Sequence, residues 1–155
     1  LSLILRQQPV ASDLRQVSTA LKVVTDLERI GDHASDIAEL ILRIKSEHAY
    51  HIVKHLPVMA ASANAMVHDA IEAFINQDLD SAMEIIERDD EVDTLFNQVK
   101  DDVIHLLKSS PDQADQGIDL LMVAKYLERI GDHAVNVCEW TQFSKTGALK
   151  NVRIM

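Results

Sequence analysis

The eight residues from Leu27 to Ala34, LERIGDHA, return unchanged as Leu127 to Ala134. Around them, LKVVTDLERIGDHASDIAE at 21–39 is matched by LMVAKYLERIGDHAVNVCE at 121–139, so one segment occurs twice at an offset of 100 residues. Solenoid repeats recur every ~20–50 residues. An offset of 100 residues is too long for one and suits a duplicated three-helix unit. By the same offset, LSLILRQQP at 1–9 falls where the loop before Pro111 lies in the second copy. The expected organisation is one complete bundle beside a single helix of another. Residues 1–48 would be the third helix of a first bundle lacking its first two, 52–145 a complete second bundle, and 146–155 a C-terminal tail.

Composition agrees with an all-helical chain. Four Gly and three Pro in 155 residues leave too little turn chemistry for a many-stranded sheet. The lone Cys138 excludes an internal disulfide framework and fits a reducing compartment. No apolar run reaches the ~18 residues needed to span a bilayer, and no signal-peptide pattern opens the chain. A soluble, cytoplasmic protein is expected. Fifteen basic against 25 acidic residues give a net charge of −10. With no Lys/Arg-rich stretch, nucleic acid is not an expected partner.

Apolar spacing of three and four predicts helices over 12–46, 53–77, 80–109 and 111–144. Leu56, Ala60, Ala63, Val67, Ala70 and Phe74 mark one seam; Ala82, Ile86, Phe96, Val103 and Leu107 mark the next. The last helix carries a start signal, with Ser110 as N-cap, Pro111 at the first helical position and Gln113 completing a capping box. Met59, Met66, Met83 and Met122 are expected in the core.

Acids interrupt these apolar lines. Glu28 and Asp32 lie one turn apart on the seam Leu14, Val17, Leu21, Val24, and Glu128 and Asp132 repeat the arrangement. Asp89 and Asp93 form a third such pair between Ile86 and Phe96. Like charges at i, i+4 repel by a few tenths of a kcal/mol on an exposed helix, and burying an unpaired carboxylate costs several more. Facing acid pairs make sense with a cation between them, and all-oxygen donors suit hard metal ions. Gly31 and Gly131 would leave room for close helix approach or for ions, at about 1 kcal/mol each relative to Ala. The competing reading places the acids at a solvated rim, paired with Arg29, Arg129 or Arg88. His33 and His133 are read as surface or partner-helix hydrogen-bonders and only weakly as ligands, and His48, His51 and His55 as a solvated face.

The duplicated ERIGDH string, together with LRQQPVASDLRQVSTALKVVTDLERIGDHASDIAE and ERDDEVDTLFNQV, closely resembles the PhoU phosphate-regulatory proteins over nearly the whole chain. The resemblance implies two antiparallel three-helix bundles, each with an acidic surface able to hold metal. Iron or zinc come first, with magnesium and manganese also admissible. Carried over residue by residue, the metal-ligand pattern falls on Asp89, Asp93, Glu128 and Asp132 in the second bundle and on Glu28 and Asp32 in the first. The first site would lack its other half, since the helices bearing the matching acids are missing. The resemblance also implies regulation without catalysis: negative control of the phosphate-starvation response, linking a phosphate ABC transporter and its ATPase to a membrane sensor histidine kinase. Contact with the membrane would come only through those partners, and the protein would form homodimers.

Two other functions compete. A di-metal carboxylate, ferritin-like enzyme needs Glu-x-x-His on two helices, and no Glu in this chain has a His three residues later. A metal-free helical adaptor would share the fold and the partners. Separately, the 12–46 helix carries apolar side chains on two adjoining seams. Left uncovered they would form a patch larger than soluble monomers show, so self-association through that face is expected.

Overall fold

Two side-chain caps set where helices begin. The Ala49 N–H donates to Ser46 Oγ at 3.1 Å, and the Ser81 N–H donates to the Asp78 carboxylate at 3.1 Å, each satisfying a donor the helix leaves open. Two left-handed residues set where helices end. Gln77 (φ 51°) follows α3 and Gly147 (φ 76°) follows α6, and each hands its N–H back to the last turn. The computed structural model describes residues 2–147, with side chains from residue 10 onward. The predicted tail at 146–155 lies, from 148 on, outside the described residues.

The helices are α1 (Ser2–Arg43), α2 (Glu47–Ile52), α3 (Leu56–Asn76), α4 (Leu79–Glu87), α5 (Asp89–Ser109) and α6 (Ala114–Thr146), with a short 3-10 turn at Pro111–Gln113. No strand occurs among the described residues, and the fold is all-α as expected. No helix among them is long and apolar enough to cross a membrane. The α3 helix runs up, α4 and α5 run back antiparallel to it, and α6 returns. Pairs such as Asp69–Arg88, His55–Asp102 and Lys145–Gln77 fix that order. Met59, Ala63 and Met66 of α3, Ile85, Val92 and Val99 of α4–α5, and Leu120, Ala124 and Ala134 of α6 fill the centre. The α1 helix lies antiparallel along α6. It is tied at one end by Arg15 Nε donating to the Ser144 carbonyl, and at the other by Arg43 to Asp119 and by Gln116 Oε1 accepting from the Lys45 and Ser46 N–H groups.

Several expectations are corrected. The first helix does not start near residue 12 but runs unbroken from Ser2 through Pro9. Residues 1–8 hold no Gly, Asn or Asp, so no turn residue precedes Pro9; an interior proline costs a hydrogen bond and crowds the carbonyl four residues back, and the helix runs through it all the same. The predicted 80–109 helix is broken at Arg88, which caps both α4 and α5. The capping box does not form, because Ser110 makes no side-chain cap bond and Gln113 Oε1 accepts instead from the Ser46 hydroxyl. The predicted seam of α4–α5 holds in part: Ala82 and Val103 are buried, Ile86, Phe96 and Leu107 pack partly buried against the core, and the centre of the seam is shifted to Ile85, Val92, Leu95, Val99 and Leu106. Met59 and Met66 are fully buried, whereas Met83 and Met122 are 54% and 39% exposed.

Candidate functional site

The shifted seam separates the predicted acid pair on α5. Asp89, at the first turn, is 2% exposed, and its Oδ1 lies 3.6 Å from the position a Cβ on Gly131 would take. Asp93, one turn later, is exposed. On α6, Glu128 and Asp132 flank Gly131 and are half-buried, and Glu128 Oε1 accepts from Lys125 Nζ at 2.7 Å. The structure thus sets Asp89 against the α6 segment that carries the other two acids. The donor set is all oxygen, which fits a hard cation.

The first-copy acids sit differently. Glu28 and Asp32 are exposed on α1, and a Cβ on Gly31 would meet nothing within 4 Å. Gly31 is therefore not required by close packing among the described residues. At Gly131 the nearest atoms, Asp89 Oδ1 and Val92 Cγ1, lie at ordinary contact distance, so there too the glycine is tolerated rather than demanded. Neither glycine marks a close helix approach among the described residues.

Among the described residues, the group whose ligand atoms all lie within 4.8 Å of one another is His68, Asp69 and Glu72 on α3. None of the six predicted acids belongs to it. Its sequence signal is His-Asp-x-x-Glu, with His and Glu one helical turn apart, a pattern that is not part of the repeat. The Arg88 guanidinium donates to Asp69 Oδ2 at 2.7 Å, and that bond holds the Asp69 carboxyl below its ordinary range, with His68 adding to the effect.

The duplicated histidines meet at the crossing of α1 and α6. Asp26 Oδ1 accepts from His133 Nδ1 at 2.9 Å and from Asn136 Nδ2 at 3.2 Å. His133 and Asn136 are 2% exposed and Asp26 8%. Exchanging the two copies maps Asp26, His133 and Asn136 onto Tyr126, His33 and Asp36. These are again neighbours: the His33 ring lies 5.6 Å from Tyr126, and His33 Nδ1 lies 4.0 Å from Asp36. A local pseudo-twofold axis therefore passes through the crossing. Burial lowers the His33 pKa, and His133 and Arg129 lower it further, so this ring packs as a neutral group. The expectation that these histidines bond a partner helix holds for His133. The expected solvated face of His48, His51 and His55 holds only in part, because His55 Nδ1 bonds Asp102 Oδ2 at 2.7 Å and is half-buried.

Comparison with known proteins follows the same lines. The family model described as "PhoU domain" matches residues 1–41 and 56–141. The phosphate-specific transport system accessory protein PhoU homolog of Clostridium acetobutylicum is 43% identical over 146 residues, covering 94% of this chain and 67% of that protein. PhoU homolog 1 of Thermotoga maritima is 34% identical, covering 97% of this chain and 65% of that protein. The crystal structure of PhoU from Pseudomonas aeruginosa superposes with a TM-score of 0.80 at 31% identity, over 95% of this chain and 71% of that one. The phosphate transport system regulatory protein PhoU from Streptococcus pneumoniae gives 0.78 at 30%, over 90% and 66%. The chain thus spans about two thirds of the length of these relatives. In sequence and in three dimensions, the chain belongs to the PhoU family.

Proposed function

We propose that this chain is part of an accessory regulator of a phosphate transport system. It works by binding partners and metal, not by turnover. Its relatives are named as accessory and regulatory proteins of such systems, which supports the transporter as partner. The proposal extends to negative control of the phosphate-starvation response through a sensor histidine kinase, at the cytoplasmic face of the membrane. Residues 1–48 are taken as the third helix of a first bundle and 52–145 as a complete second one. The exposed apolar side of α1 supports that division and supports self-association of this chain.

The metal reading rests on the Asp89 carboxylate set against Gly131, between Glu128 and Asp132. We assign iron or zinc, with magnesium or manganese as substitutes, to Asp89, Glu128 and Asp132, with Asp93 reaching in from the α5 surface. Glu28 and Asp32 form half a site that needs acids from another helix. Elemental analysis of chelator-free protein tests this. Metal present in the wild type and lost in Glu128→Ala/Asp132→Ala supports the assignment; unchanged metal content overturns it. Retained metal that disappears in His68→Ala/Glu72→Ala would move the site to α3, where the ligand atoms already converge.

A further inference from the structure

A cavity of about 170 Å³ opens beside the α1–α6 crossing, lined by Lys22, Thr25, Asp26, Arg29, His133, Asn136 and Trp140. Three features of it bear on what it could bind. Both hydrogen bonds to Asp26 fall on Oδ1. No described residue bonds Oδ2, which is absent from the buried unbonded atoms and so remains an open acceptor on a side chain that is otherwise held rigid. Lys22 and Arg29 stand one turn to either side of Asp26 and are exposed. Neither makes an ion pair with a described residue, although acids outnumber bases 25 to 15 in this chain. Trp140, the sole tryptophan, forms one wall and is half-buried. Its ring meets Phe143 edge-on at 5.8 Å.

An open acceptor at depth, an aromatic wall and two unpaired cations at the rim define one ligand chemistry. An inorganic anion alone would meet the Asp26 carboxylate unfavourably, and a simple cation would meet Lys22 and Arg29. A ligand that presents an N–H donor inward and a negative group outward satisfies both ends. A planar ring between them would lie on the indole. The cavity is smaller than the ~300–1,000 Å³ of pockets that swallow a whole drug-sized ligand, so only a ring-sized group enters and its charged part stays at the rim. We propose that this cavity binds a nucleotide, with the N–H edge of its base on Asp26 Oδ2, the base against Trp140, and the phosphate between Lys22 and Arg29. The inference is independent of the metal reading.

Because Trp140 is the only tryptophan and lines this cavity, its fluorescence reports a ligand that seats there. The intact 155-residue chain would be titrated with GMP and AMP under 295-nm excitation, with calorimetry in parallel. Guanosine, adenosine and inorganic phosphate serve as the separate halves. Saturable binding of at least one nucleotide is expected, weaker by about tenfold or more in Lys22→Ala/Arg29→Ala, the size expected for lost charge-assisted bonds. Asp26→Asn places an amide donor where the base also donates and should weaken nucleotide while leaving inorganic phosphate unaffected. The Lys22/Arg29 variant alters only exposed side chains, so the test stands even where Asp26→Asn disturbs the helix crossing. Absence of a Trp140 response and of heat up to millimolar nucleotide overturns the proposal. So does phosphate binding as tightly as nucleotide, or nucleotide binding untouched by the rim substitutions.

Discussion

His33 and His133, the same position in the two copies of the repeated segment, face each other with ring centroids 5.6 Å apart and planes tilted by 31°. Only His133 carries an interhelix hydrogen bond, to Asp26; its counterpart His33 stacks, and its buried Nδ1 makes no hydrogen bond. The two should therefore respond differently to substitution. His133→Phe strips Asp26 of one donor and is expected to cost about 1–3 kcal/mol, the range for disrupting a buried hydrogen bond. His33→Phe keeps the stack, removes an unsatisfied nitrogen, and should be neutral to slightly stabilising. Urea denaturation of both variants checks the asymmetry; equal losses would contradict it.

The glycines give a second, purely steric prediction. A Cβ at Gly31 meets open space, whereas at Gly117 it lies 3.2 Å from Leu106 Cδ2. Gly31→Ala should raise stability by about 0.5–1 kcal/mol through helix propensity alone. At Gly117 the gain is offset by displacing a leucine that is fully buried. Thermal melts of the two alanine variants should rank Gly31→Ala above Gly117→Ala.

Asp69 governs part of the acid response. Its pKa in the folded chain lies below the ordinary 3.8, chiefly because of the Arg88 hydrogen bond. A lowered folded pKa means that the stabilisation is present above the unfolded value and is lost as pH falls through the folded one. Asp69→Asn should lower stability at pH 7 only slightly, because the pair is about one third exposed. It should also flatten the decline of stability below about pH 4. A denaturation series from pH 7 to pH 2 shows whether the slopes differ.

The exposed side of α1 predicts association. Leu14 and Leu21 are 66% and 65% exposed, and Val10, Val17 and Val24 lie on the same side, all at least 49% exposed. Covering each such side chain is worth roughly 1.5–3 kcal/mol. The 155-residue chain should sediment as a dimer or larger species at micromolar concentration, and Leu21→Lys should shift it toward monomer. A wild-type monomer under those conditions would contradict the expectation.

The repeat, the helical class and the antiparallel bundle were legible because apolar spacing is a local property, dictated by the turn of the helix. Less legible was anything set by where one helix meets the next. The phase of the α4–α5 seam depends on the break at Arg88, which carries no Gly or Pro to announce it, and a small rotation there buries Asp89 and turns Asp93 outward. Ser110 and Gln113 read as a capping box, yet Gln113 is drawn across to Ser46, a competitor 67 residues away in sequence. The Asp26–His133 bond spans 107 residues; the repeat marked the histidine but not its partner, because Asp26 is where the copies differ. The cluster on α3 was missed for the opposite reason. It is local, but it is not repeated.

The 42 residues of α1, some 63 Å at 1.5 Å per residue, rest on a narrow line of buried contacts that includes Thr19, Val23, Asp26 and Leu40. The α3–α6 core holds most of the buried apolar side chains. Detaching α1 therefore exposes far less apolar surface than opening the core, and the two processes have separate free energies. On heating or mild denaturation, α1 is expected to detach before the α3–α6 core opens. Amide protons of α1 would exchange on the faster of two clocks.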